Sequence, residues 1–205
     1  YKELIKPEQL KKYHLNPKEV LEQLISNIKC DEGIKNDIPV LMANIFAIWT
    51  LKNTNHYFEA VATNAKNQQK YLLTPHPAQI ISIFRILGVG DEKEELINNL
   101  VQIGTGEGKS ITLAMTASIL ALHGYDVSCA CYSEYLSQRD YKSFQFLFDV
   151  LGVSNHIQYG TFNKLCESVI NQDGDVRNIV ESLILTGNNQ ALLNSKKIKR
   201  PKVLL

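Results

Sequence analysis

The stretch "LVQIGTGEGKSITLAMTASILAL", Leu100 to Leu122, decides the fold. Apolar residues run up to Ile103, glycines then interrupt them, and an apolar run with helical spacing begins at about Lys109. That layout is a strand, a glycine turn and a helix. Because Gly106 and Gly108 have no Cβ, they let successive backbone N–H groups converge on one point. The helix adds its unpaired first-turn amides and the positive end of its dipole. A turn of this kind is an anion nest.

Two side chains sharpen the reading. Lys109 at the mouth supplies a flexible cation for the outer phosphates of a nucleotide, and the Ser110 hydroxyl can ligand a magnesium ion bridging two phosphates. The expected ligand is therefore a nucleoside triphosphate with Mg2+. A full-length phosphate loop has a glycine where this chain has Ile103, so Thr105-Gly106-Glu107-Gly108-Lys109-Ser110 is the shorter T-G-x-G-K-[ST] form of helicase-like motors. The competing reading is a glycine-rich turn that binds nothing.

The whole chain narrows the classes. With 205 residues and 44% hydrophobic composition it can bury a proper core, as one α/β domain with a helical appendage. Its 22 Lys+Arg against 21 Asp+Glu leave a net charge of +1, which provides no basic footprint and disfavours nucleic acid as the main ligand. The longest apolar run, Val40 to Trp49, is interrupted by Asn44 and reads as a buried helix, not a membrane span. The first fifteen residues have neither an apolar signal core nor transit-peptide character. Four cysteines, Cys30, Cys129, Cys131 and Cys166, are too scattered for a disulfide framework. Cys129 and Cys131 alternate along a strand and read as buried structural thiols, which fits a reducing, cytoplasmic compartment.

Residues 1–70 read as helical. Asn16 is a candidate cap with Pro17 at the first helical position, followed by Val20, Leu21, Leu24, Ile25 and Ile28 at helical spacing. A second helix is expected from Asp37 to Leu51. The proline-punctuated "TPHP" marks the boundary to a second unit, 71–205, in which helices alternate with short apolar strands. Helices are expected at Ala78–Leu87, Lys109–His123, Tyr135–Leu151, Phe162–Asn171 and Val176–Leu185. Strands are expected at Leu100–Ile103, Val127–Tyr132, His156–Tyr159 and Val203–Leu205. The helix after the glycine loop is apolar nearly all round and must lie in the middle of its domain.

Three further stretches fall into order around the loop: "TPHPAQ" with Gln79 thirty residues before Lys109, "SEYLSQRD" after the second strand, and "QYGTFN" after the third. Together with "TGEGKS" they resemble the first motor domain of the SecA family, preprotein translocase ATPases of the helicase-like superfamily, over roughly residues 75–205. The resemblance implies a RecA-like P-loop domain, a parallel sheet flanked by helices, preceded by the helical N-terminal region. It makes Gln79 an adenine-reading residue, Thr105, Gly106, Glu107, Gly108, Lys109 and Ser110 the phosphate and magnesium cradle, and Arg139 a residue bordering the nucleotide. It further implies ATP or ADP with Mg2+ as cofactors, a polypeptide substrate or protein partner, and peripheral association with a membrane. For Gln79 the alternative is an exposed helix-start residue, and for Arg139 an ion pair with Asp140 or Glu134.

The chain also departs from the family. After "YGT" it continues with "FNKLCESVI", an ordinary amphipathic helix, and the connection from Leu151 to Tyr159 is short. An ATPase of this class needs an acidic pair at the end of a strand beside the loop. "ILGVGDE" (86–92) precedes the loop and reads as a solvated turn, and "DGD" (173–175) as a cap or turn. The expectation is a fragment that stops just short of its acidic motif after "RPKVLL", inactive alone, from a parent that couples ATP hydrolysis to protein translocation or remodelling. The alternatives are a nucleotide-binding scaffold that no longer hydrolyses ATP and, more weakly, an RNA helicase relative.

Overall fold

A computed structural model describes residues 1–28, 30, 34–91, 96–171, 175–186 and 200–205. Among these, three strands pair in parallel: β1 (Asp126–Cys131), β2 (Ile157–Thr161) and β3 (Lys202–Leu204), in the order β2-β1-β3. The central β1 sets Val127 beside Ile157 on one side and Val203 on the other. Helices α1 (Pro7–Leu15), α2 (Pro17–Ser26), α3 (Ile34–Lys52) and α4 (Asn55–Ala62) come first. They are followed by α5 (Pro77–Ile86), α6 (Lys109–Leu122), α7 (Glu134–Val150), α8 (Phe162–Ile170) and α9 (Val176–Thr186). Parallel strands require crossovers, and α7 supplies the one between β1 and β2. The chain is thus α/β, a parallel sheet flanked by helices.

α6 is the centre of the fold, as its all-round apolar pattern requires. Ten of its 14 residues are buried, from Ile111 to Ala121. The buried Thr112, Thr116 and Ser118 turn their hydroxyls back to the carbonyls of Gly108, Thr112 and Ala114 at 3.2, 2.8 and 2.8 Å. Left unpaired, each would cost about 1–3 kcal/mol. α3 packs on α6 through a fully buried stripe that includes Ile38, Leu41, Ile45, Ile48 and Leu51. One hydrophobic cluster runs from Leu10 through α3 and α6 to Phe148 and Ile157, so the N-terminal helices share the core of the sheet.

Most expected elements lie within a residue or two of the observed ones, but four readings need correction. Leu100–Ile103 is not a strand: it forms no ladder, and Leu100 is fully exposed. β3 pairs with β1 over three residues, and its other edge faces a crevice of about 550 Å3 lined by Ile86, Leu96, Ile97, Asn99, Leu120 and Leu205. Among the described residues the segment pairs with no strand, so an apolar run alone does not make a ladder. α1 and α4 lie in the region read as helical, where the sequence reading places only two helices; α1 buries Leu10, and α4 buries Tyr57 and Ala60. Asn16 does sit at the N-cap of α2 ahead of Pro17, yet its side chain donates to Glu19 Oε2 at 2.8 Å instead of accepting a helix N–H. Of the cysteine pair only Cys129 is buried; Cys131, at the strand end, is half-buried. The turn after α5 buries Leu87, its Glu92 lying outside the described residues, as do Asp173 and Gly174 of the "DGD" stretch.

Candidate functional site

The glycine loop enters α6 as the sequence demands. Gly106 and Gly108 have φ of +85° and +84°, and the Glu107 N–H donates to Gly104 O at 3.4 Å. Gly108 is the N-cap of α6, and no side chain caps that end. The first-turn amides of the most buried helix therefore face a loop that contributes no competing acceptor side chain, which is the arrangement an anion requires.

The Lys109 ammonium lies back across the loop, donating to Ile103 O at 3.2 Å and Gly104 O at 2.9 Å. Both contacts are exposed, so an arriving phosphate can exchange them at little cost. Gln79, at the start of α5, is brought directly to the loop. Its Nε2 donates to Glu107 O at 3.2 Å, and its Oε1 accepts from the His76 N–H at 3.0 Å. His76 Nδ1 in turn accepts from the Ala78 N–H at 3.3 Å, a reciprocal cap that fixes the Gln79 carboxamide. The fit is close: a Cβ on Gly108 would lie 2.2 Å from Gln79 Nε2. The carboxamide retains one N–H and one lone pair for a ligand.

The Ser110 hydroxyl donates to Asp140 Oδ2 at 2.8 Å. Arg139 holds the other oxygen of the same carboxylate, through Nε at 2.9 Å and Nη2 at 2.6 Å, and these bonds push its own pKa further up. Of the two partners that the alternative reading of Arg139 allows, the structure pairs it with Asp140, whereas Glu134 pairs with Lys164 at 2.8 Å. Half-buried Cys131 borders the same carboxylate; burial first, then the Asp140 charge, raises its thiol pKa and keeps it protonated at neutral pH. The set consists of uncapped amides, an ammonium, a carboxamide and a hydroxyl oxygen whose proton is already committed. Its chemistry suits a polyphosphate, and Ser110 suits a hard cation.

Thr105, Gly106, Glu107, Gly108, Lys109, Ser110, Gln79 and Arg139 all gather at this place. Asp140 was not among the expected site residues, although a signal for it exists. On α7 it occupies the buried stripe Ser137, Asp140, Phe144, Leu147, and a charged side chain on an apolar face is the informative exception to burial.

A glycine loop feeding a buried central helix, beside a parallel sheet, defines a RecA-like α/β domain. The chain belongs to the SecA DEAD-like domain family, whose model matches residues 14–168 and so takes in most of the N-terminal helices. A protein translocase subunit SecA from Mycoplasma mycoides is 31% identical over 104 residues, covering 47% of this chain and 11% of that protein. A protein translocase subunit SecA 2 from Staphylococcus aureus strain MRSA252 is 24% identical over 151 residues, covering 69% of this chain and 18% of its own length. The SecA 2 of S. aureus strain Newman is 28% identical over 119 residues, 53% of this chain and 14% of that protein. The chain thus spans less than a fifth of the length of these relatives. No solved structure matches. Among the described residues no helix is long and apolar enough to cross a membrane.

Proposed function

We propose that this chain binds ATP or ADP with Mg2+, as part of the first motor domain of a SecA-like protein that couples ATP hydrolysis to moving or remodelling polypeptides. The observation that carries the reading is the convergence of Lys109, Ser110 and Gln79 on the uncapped N-terminus of α6. In this reading residues 105–110 cradle the phosphates, Lys109 neutralises the outer ones, Ser110 holds the cation and Arg139 borders the nucleotide. A cation held by Ser110 would supply charge neutralisation. The helical region 1–70 and the nucleotide-binding unit 71–205 share one core, so the former buttresses α6. The translocase names of the relatives support the polypeptide partner, and the resemblance to the SecA family implies the cytoplasmic location and the peripheral contact with a membrane.

Base choice tests the reading. Adenine offers an N7 acceptor and an N6 donor, and guanine an O6 acceptor in place of that donor. The spare N–H and lone pair of Gln79 match adenine, whereas guanine would set its O6 against Gln79 Oε1. A lost hydrogen bond with an unpaired group costs about 1–3 kcal/mol, roughly a 5- to 150-fold preference for ATP over GTP. A competition titration should show that preference in the wild type and its loss in Gln79→Ala. Equal affinities in the wild type, or a preference that survives the substitution, would remove Gln79 from the site.

Turnover is a separate matter. Tyr132 and Ser133 follow β1 and Phe162 follows β2, so neither strand leads into an acidic pair. The 205-residue chain is expected to bind nucleotide yet release no phosphate above background in a coupled assay. Lys109-dependent release by this chain would instead place the water-orienting carboxylate within these 205 residues.

A further inference from the structure

We infer that Asp140 is the positioning residue for the divalent cation, acting through Ser110; this rests on the nucleotide reading above. α6 carries four hydroxyl side chains, and three of them, on Thr112, Thr116 and Ser118, donate to the carbonyl four residues back. Ser110 alone reaches across to another helix, where Asp140 Oδ2 takes its proton at 2.8 Å. A serine hydroxyl has one proton and two lone pairs. With the proton committed to Asp140, the oxygen can present only lone pairs toward the loop, which is what a hard cation requires and what a freely rotating hydroxyl does not guarantee.

The carboxylate is itself fixed. Arg139 occupies Oδ1 through two nitrogens, so Oδ2 remains for Ser110, and Asp140 is buried on the inner stripe of α7 while the Arg139 side chain is half-exposed. A surface ion pair needs no such burial. Removing a charged group that stands behind a metal ligand characteristically lowers metal affinity about 10- to 100-fold without removing the ligand.

The experiment is a titration of fluorescent ADP against the whole chain, with Mg2+ varied in one arm and excess chelator in the other. It compares wild type, Asp140→Asn, Ser110→Ala and the double substitution. In Asp140→Asn the chelator arm should match wild type within about twofold, while the Mg2+ concentration for half-maximal enhancement rises about tenfold or more. Ser110→Ala should raise it similarly, and the double substitution no further, because both act through one bond. A Mg2+ midpoint unmoved in Asp140→Asn, or equal weakening in both arms with a fall in unliganded stability, overturns the inference and makes Asp140 a structural ion pair. Should Asp140→Asn not fold, Asp140→Glu keeps the charge while displacing the acceptor oxygen, and its Mg2+ midpoint should still rise; an unmoved midpoint there overturns the inference equally. Absence of nucleotide binding by the wild type in either arm removes the nucleotide reading and this inference together, whereas Mg2+-dependent wild-type binding with unmoved variants removes this inference alone.

Discussion

Mg-ADP at about a hundred times its dissociation constant should stabilise the wild-type chain by about 2.7 kcal/mol, a rise in Tm of about 5–10 °C for a domain of this size. Lys109→Ala should reduce that rise to about 1 °C at the same ligand concentration, the value for an affinity weakened roughly a hundredfold. The unliganded Tm should hardly move. Lys109 Nζ donates to two backbone carbonyls at exposed positions, and water can replace both bonds. Surface changes of this sort usually stay within about 0.5 kcal/mol. The variant thus separates loss of the ligand from loss of the fold. Differential scanning fluorimetry with and without Mg-ADP reads both, and an unchanged ligand shift in Lys109→Ala would overturn the cradle assignment.

How much of this was legible in the sequence depends on what each residue needed from its surroundings. α6 was legible because an all-round apolar helix has only one place to go, and the loop because glycine at positive φ and a lysine-serine pair carry their own geometry. Gln79 was not legible from spacing alone; only the family motif tied it to a loop thirty residues on, which it reaches by bonding Glu107 O. The strand expected at Leu100–Ile103 failed for the opposite reason. Its apolar residues satisfy the pattern, but pairing is decided by a neighbouring strand, and the described strands pair only with one another. In the sequence Asp140 is visible only as a charge and one of two candidate partners of Arg139, because whether α7 turns it inward to Ser110 is decided by the packing of two helices.

The two loop glycines share a backbone conformation and differ in what surrounds them, which makes them a controlled pair. At φ of +85° and +84°, alanine at either position meets the same left-handed penalty, about 1–2 kcal/mol. For Gly106→Ala that should be the whole cost, since a Cβ there meets nothing within 4 Å. In Gly108→Ala the new methyl lies 2.2 Å from Gln79 Nε2 and 3.2 Å from Ile111 Cγ2, so the carboxamide must swing away. It then gives up Glu107 O and the cap it forms on the His76 N–H, the cap alone being worth about 1 kcal/mol. The expected losses are about 1–2 kcal/mol for Gly106→Ala and about 2–3 kcal/mol for Gly108→Ala, Tm falls of about 2–8 °C and 4–12 °C. The sharper difference is in ligand choice. Gly106→Ala leaves Gln79 in place and should weaken ATP and GTP alike, whereas Gly108→Ala should also erase the preference for ATP, reproducing Gln79→Ala through a residue that never touches the base. Thermal denaturation beside the ATP–GTP competition measures both. If Gly108→Ala kept its preference for ATP, the contact between Gln79 and the loop would be incidental to base selection.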